Sequence, residues 1–187
     1  TSFVFTVSLS EASGLPASAD FATAEGTATL ANNDFATATG SVLFAPGALS
    51  RPVTVLVNGD ATQESDETFQ VGLSNLAGAQ AGTLLGTGTI LNDDAVPTVS
   101  IGGASIAEGN AGTTNLVFTV ALSNPTATAV TVQYQTSDGT AKLADNDYQA
   151  ASGTLTIPAK DPSGTITVLL NGDTCGEPNE GFVVTLS

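Results

Sequence analysis

FVFTVSLS at positions 3–10 returns as LVFTVALS at positions 116–123. Further on, EGTATLANNDF at 25–35 returns as DGTAKLADNDY at 138–148, and VTVLVNGD at 53–60 as ITVLLNGD at 166–173. ESDETFQVGLS at 64–74 returns as EPNEGFVVTLS at 177–187. The offset is 113 residues each time, without a gap. Between positions 3 and 74, 29 of the 72 pairs are identical, too many for chance, so the two copies must share one fold. A period of this length is that of an independent domain, not of the roughly 20–50-residue units that stack into solenoids.

Within each copy the apolar residues alternate. Leu116, Phe118, Val120 and Leu122 interleave with Val117, Thr119, Ala121 and Ser123. The same period of two runs through Val130–Gln135, Thr154–Ile157, Ile166–Leu170 and Phe182–Leu186. It is the signature of a strand with one buried face. Gly, Asn, Asp and Pro fill the intervals, as turns require. No stretch carries a helical period. The copies are complementary in what they lack: PTVSI at 97–101 and ASIAEG at 104–109 open only the second, and GTLLGTGTILNDD at 82–94 closes only the first. Their union has about seven strands, which fits an all-β fold of tandem immunoglobulin-like β-sandwiches with about seven antiparallel strands each. The expected domains are 1–94, a repeat without its first strand, and 95–187, a repeat without its last. The chain opens and closes inside strand-like runs, which reads as a piece of a longer protein.

Composition narrows the function. Eighteen acidic residues face three basic ones, Arg51, Lys142 and Lys160, for a net charge of -15. Such a surface repels nucleic acid and anionic lipid. No apolar run approaches the roughly 20 residues that cross a bilayer, so no direct membrane insertion is expected. The chain has no His. A Ser-His-Asp triad, a Cys-His pair and a Cys/His zinc site therefore cannot be assembled from it, and no enzyme activity is expected. The single cysteine, Cys175, can form no internal disulfide. It has no basic neighbour to activate it.

The acids are the stronger lead. They fall in turns: Glu108; Asp138, Asp145 and Asp147; Asp173, Glu177 and Glu180 in the second copy. In the first copy they are Glu25, Asp34, Asp60, Glu64, Asp66 and Glu67, with Asp93 and Asp94 after its last strand. Alternate turns of a sandwich meet at one end, where gathered carboxylates repel unless a cation lies among them. Calcium, with about 6–8 oxygen ligands and tolerant geometry, suits turns of Asp, Glu, Asn and carbonyl groups. Soft metals would want sulfur or imidazole. The competing reading is that Asp and Asn simply favour turns and keep an acidic surface soluble.

The strings DGTA…NDY, the GTLTI strand at 153–157, NGD…E..E.F.V.LS and the closing GTGTILNDD resemble the Calx-beta repeat over nearly the whole chain. The resemblance implies a calcium-binding module, Ca2+ as cofactor, and ligands at Asp34, Asp60, Glu64, Glu67, Asp93 and Asp94 in the first copy. In the second it implies Glu108, Asp147, Asp173, Glu177 and Glu180. Glu25 and Asp138 fall outside that set as turn residues. Asn58-Gly59-Asp60 and Asn171-Gly172-Asp173 stand where the exchanger-type site has consecutive Asp, which implies weaker affinity or fewer ions. The function expected is a structural or adhesion repeat of a larger cell-surface or secreted protein. Its partners would be neighbouring repeats and possibly surface or matrix ligands. Alternatives are a metal-free acidic spacer and a calcium-sensing domain of a membrane transporter.

Overall fold

The computed structural model describes residues 1–176 and 178–187. It is built of twelve strands, with no helix among the described residues. The chain folds as two compact units, Thr1–Asp60 with Ser65–Asp93, and Ala61–Glu64 with Asp94–Ser187. The first holds β1 (Ser2–Ser8), β2 (Ala17–Glu25), β3 (Thr39–Phe44), β4 (Ser50–Leu56), β5 (Glu67–Ala77) and β6 (Leu85–Ile90). The second holds β7 (Val99–Ile101), β8 (Thr113–Leu122), β9 (Val130–Ser137), β10 (Ser152–Ile157), β11 (Ser163–Asn171) and β12 (Val183–Leu186).

Each unit is a pair of antiparallel sheets. In the first, β1 pairs with β4, and β3-β2-β5-β6 form the other sheet. In the second, β11-β8-β7 form one sheet and β10-β9-β12 the other. Shifted by 113 residues, β1 to β5 fall on β8 to β12, and the shared pairings are the same. β6 and β7 each occur once, at opposite edges, and the union of the two units is a seven-stranded sandwich.

Alternation becomes core in the expected way. In β4, Val53 and Val55 point inward while Thr54 and Leu56 are exposed; in β8, Leu116, Phe118, Val120 and Leu122 are buried. The first core joins Val53 and Val55 to Val42, Phe44, Phe69 and Val71 of the facing sheet. The second joins Phe118, Val120, Ile166 and Val168 to Ile157 and Tyr148. β2 is tied to both neighbours by one half-buried acid. Asp20 accepts hydrogen bonds from the Ser41 hydroxyl of β3 and from Asn75 of β5 at 2.9 Å, which hold its carboxyl below the usual range.

The turn after β2 lies backbone-on-backbone against the start of β5. Ala28 N donates to Thr68 O at 2.9 Å, and Thr68 N donates to the Thr27 hydroxyl at 2.8 Å. Ala141, Gly181 and Thr140 repeat this at 3.0 and 2.9 Å. The contact is close enough to require glycine. A Cβ at Gly26 would lie 2.4 Å from Thr68 O, and one at Gly139 would lie 2.3 Å from Gly181 O. Backbone cannot step aside as a flexible side chain can. Gly26→Ala and Gly139→Ala should therefore each destabilise their unit by about 1–3 kcal/mol, the usual cost of overpacking. Denaturant unfolding checks this against Gly14→Ala, whose Cβ would meet nothing within 4 Å. Equal stability of Gly26→Ala and Gly14→Ala would show that the turn is not held as described.

Candidate metal centre

Phe35 and Phe69 stack with centroids 4.9 Å apart and planes at 20°. Phe35 ends the turn after β2, and Phe69 faces inward from β5. The acid Asp34 precedes Phe35 in the chain. Glu67 lies two residues before Phe69, on the same face of β5 by strand periodicity. The stack therefore brings Asp34 and Glu67 to one end of the first unit. Glu64 reaches the same place from the loop before β5. The carboxylate oxygens of Asp34, Glu64 and Glu67 lie within 4.8 Å of one another, and all three residues are half-buried. This is the one group of three potential metal ligands among the described residues.

Asp34 is fixed from several sides. Its Oδ2 accepts Thr29 N at 2.6 Å, and its own N–H donates to Thr29 O at 3.1 Å. Its carbonyl accepts Asn58 N at 3.0 Å. The Asn58 side chain donates from Nδ2 to Asn33 O at 2.8 Å. Asn33 has a φ of 66°, a left-handed conformation that Asn tolerates better than most residues. Glu25 closes the other side of the turn, accepting Leu30 N at 2.7 Å. The second copy repeats each element. Asp147 Oδ2 accepts Lys142 N at 2.7 Å, and Asn146 has a φ of 66°. Asn171 N donates to Asp147 O at 2.9 Å and its Nδ2 to Asn146 O at 2.9 Å. Asp138 accepts Leu143 N at 3.2 Å. The sequence reading treats Asn58 and Asn171 as lost carboxylates. Their amides are the clamp on the turn, a role carboxylates could not fill because a carboxylate has no N–H to donate. The available signal was their identity in both copies.

Among the described residues the remaining sequence-derived candidates form no further group of three. Asp60 and Asp93 are exposed and Asp94 is half-buried. Asp66, read as acidic but not as a ligand, accepts Asn92 N at 2.9 Å and so joins the start of β5 to the segment after β6. In the second unit, Glu108 is half-buried and its carbonyl accepts the Thr114 hydroxyl at 2.5 Å. Asp147 is half-buried, while Asp173 and Glu180 are exposed. Asp173 Oδ1 accepts Cys175 N at 2.7 Å. Glu177 lies outside the described residues. Positions 34, 64 and 67 correspond by the 113-residue offset to Asp147, Glu177 and Glu180, the same acid at each place.

The aromatic stack recurs as Tyr148 on Phe182, with centroids 4.4 Å apart and planes at 10°. Here the ring carries a hydroxyl, and it is buried. It donates to Asp138 Oδ1 at 2.7 Å. Burial, with the Asp138 carboxylate as hydrogen-bond acceptor and as a nearby charge, raises the Tyr148 phenol to about 12.

The family model of the Calx-beta domain matches residues 1–94 and again residues 92–187. No curated protein matches the sequence. Among solved structures, the calcium binding domain CBD12 of CALX1.1 is 25% identical, covering 100% of this chain and 72% of its own, with a TM-score of 0.48. CBD12 from CALX1.2 is 26% identical over 100% and 73%, with a TM-score of 0.47. The apo-form Calx CBD1 domain is 32% identical over 50% and 83%, with a TM-score of 0.45.

Two outcomes follow from the turn. Raising the phenol's pKa on folding means that its stability contribution is complete below about pH 10, the ordinary tyrosine value, and is lost as pH climbs toward 12. Absorbance titration should show one phenol ionising near pH 12, absent from Tyr148→Phe. Asn58→Ala removes the clamp donor at an exposed position where water can take its place, which should cost about 0.5–1.5 kcal/mol in thermal or denaturant unfolding, the net worth of one hydrogen bond. Asn58→Asp should recover none of it.

Proposed function

The chain belongs to the Calx-beta family, and from that premise we propose that it is a calcium-binding structural repeat in which Asp34, Glu64 and Glu67 hold the ion of the first repeat. The observation that carries this reading is their mutual approach within 4.8 Å in a half-buried position. Two unit charges at such a separation near a protein surface repel by about 4 kcal/mol. The chain has 18 acidic residues and only three basic ones with which to offset that repulsion. A divalent cation offsets it directly. The donor set is oxygen only, which is the chemistry calcium takes and zinc or copper does not prefer. Three carboxylates leave the rest of a shell of about 6–8 oxygens to carbonyl groups and water. By position, Asp147, Glu177 and Glu180 form the corresponding set in the second repeat.

The wider role we infer is mechanical. Two copies of one acidic, seven-strand-type sandwich in tandem suit a spacer or adhesion segment of a larger cell-surface or secreted protein, stiffened by calcium at each repeat. A second reading has one specific observation in its favour. Asp34 and Asp147 already accept backbone N–H bonds, so part of the acid set has a use in the turn without any ion. That reading makes the module a metal-free spacer.

Calcium titration decides between them. Binding to the folded state alone should stabilise the protein by about 2.7 kcal/mol when calcium is 100 times its Kd, and EDTA should reverse the gain. Glu64→Gln with Glu67→Gln should abolish the gain in the first repeat while leaving the Asp34 turn intact. An unchanged melting temperature at millimolar calcium, with no heat in calorimetry, would leave the acids as turn and surface groups only.

A further inference from the structure

Asn171 is followed by Gly172, and the fold has a use for each. Asn171 Nδ2 donates to Asn146 O at 2.9 Å and to Asn146 Oδ1 at 3.3 Å, while its Oδ1 accepts Gln149 Nε2 at 3.0 Å. An amide can donate on one side and accept on the other, and a carboxylate cannot. Gly172 is fixed by space. A Cβ there would lie 2.7 Å from Gly109 O and 3.0 Å from Glu108 O, in the loop before β8. The pair is thus held as Asn-Gly for structural reasons. Asn-Gly is also the dipeptide most prone to lose its side-chain amide, because glycine has no Cβ to shield the backbone nitrogen that attacks.

In that reaction Gly172 N gives up its proton and bonds to Asn171 Cγ, closing a succinimide ring. The Cγ–Nδ2 bond breaks, and the amide nitrogen leaves with the proton as ammonia. Water then adds to either ring carbonyl and opens the ring to aspartate or isoaspartate at position 171. Nothing but water is consumed. In the folded chain both reacting groups are occupied. The Gly172 N–H donates to Gly112 O at 3.0 Å, and the Asn171 amide is tied to Asn146 and Gln149. The 108–112 loop that holds the N–H is itself pinned, because the Thr114 hydroxyl donates to Glu108 O.

We propose that Asn171-Gly172 is a spontaneous deamidation site, gated by the 108–112 loop, at which the clamp of the second repeat is converted irreversibly into a carboxylate. Local opening of the loop releases the Gly172 N–H, and reaction proceeds from the open state. The product cannot restore the turn. A carboxylate at position 171 has no N–H for Asn146 O. It adds a negative charge next to Asp147, whose carbonyl accepts Asn171 N at 2.9 Å. Isoaspartate also inserts a methylene into the backbone where Asn171 pairs with Thr113. A transient opening is thereby recorded as a permanent chemical change. The proposal is independent of calcium.

The test incubates the 187-residue chain in EDTA at mildly alkaline pH, both folded and in denaturant. Peptide mapping by mass spectrometry follows position 171 and separates it from the same dipeptide at Asn58-Gly59. Enzymatic methylation of isoaspartate confirms the product. The folded chain should convert about tenfold or more slowly than the unfolded one, since reaction waits on opening. Amide exchange at Gly172 begins with loss of the same proton, so its slowing should track that of conversion. Thr114→Val removes the pin and should speed both together. Three results would overturn the proposal: conversion of the folded chain at the unfolded rate, an amide at position 171 that persists while Gly172 exchanges, or a Thr114→Val variant that exchanges faster without converting faster. Should that variant not fold, the comparison of exchange with conversion in the parent chain decides alone.

Discussion

A ring on a ring holds the acidic end of each repeat together. Phe35 on Phe69, and Tyr148 on Phe182, join the turn after the second shared strand to the fifth. Such a pair contributes about 0.5–1.5 kcal/mol beyond its buried area. Its geometric effect is larger than its energy. The acids adjoining the rings in sequence, Asp34 and Glu67, have their positions set by it. The backbone contact at Gly26 and the amide clamp of Asn58 then fix the turn from its two other sides. With these restraints, packing and backbone contacts set where Asp34 and Glu67 stand.

That arrangement has an electrostatic consequence. Carboxylates this close to one another repel, and a cation among them would offset that repulsion. The chain spreads part of the cost by hydrogen bonding. Asp34 and Asp147 each accept a backbone N–H at 2.6–2.7 Å, and Glu25 and Asp138 do the same on the opposite side of the turn. Charge-assisted bonds of this kind are stronger than neutral ones. Turn closure and ion binding thus draw on the same residues, and an acid in this loop cannot be assigned to only one of the two tasks by its sequence position.

The fold was legible because its signals are local and repeated. Alternation in Leu116–Leu122 and Ile166–Leu170 maps directly onto the inward faces of β8 and β11. The union of two copies already indicated the seven strands. The site was legible only by residue type. Turn chemistry pointed to acids, and the family resemblance selected eleven of them, yet one set of three, Asp34, Glu64 and Glu67, comes together among the described residues. Which acids meet depends on the Phe35–Phe69 stack, a contact between segments distant in sequence, and on the left-handed backbone of Asn33. The structural role of Asn58 was not legible for the same reason. Its value lies in the Nδ2 donor that reaches Asn33 O, 25 residues back.

The two copies also act as an internal comparison of one turn solved in two ways. Position 35 is Phe, and the corresponding position 148 is Tyr; position 25 is Glu, and the corresponding position 138 is Asp. In the second copy the buried phenol needs an acceptor, and Asp138 serves it while still capping Leu143 N. In the first copy there is no hydroxyl to satisfy, and the longer Glu25 caps Leu30 N alone in its place. The pair changes together because a buried hydroxyl without a partner costs about 1–3 kcal/mol. The shorter acid carries the bond to the ring, and the longer one is used where no such bond is made. What is held constant across the exchange is the position of the next acid, Asp34 or Asp147, with its carboxylate on the N–H of Thr29 or Lys142 and its carbonyl on the Asn clamp. The turn therefore varies its internal chemistry while preserving the one carboxylate that faces the cluster, which is the pattern expected if the position of that carboxylate is what the turn exists to fix.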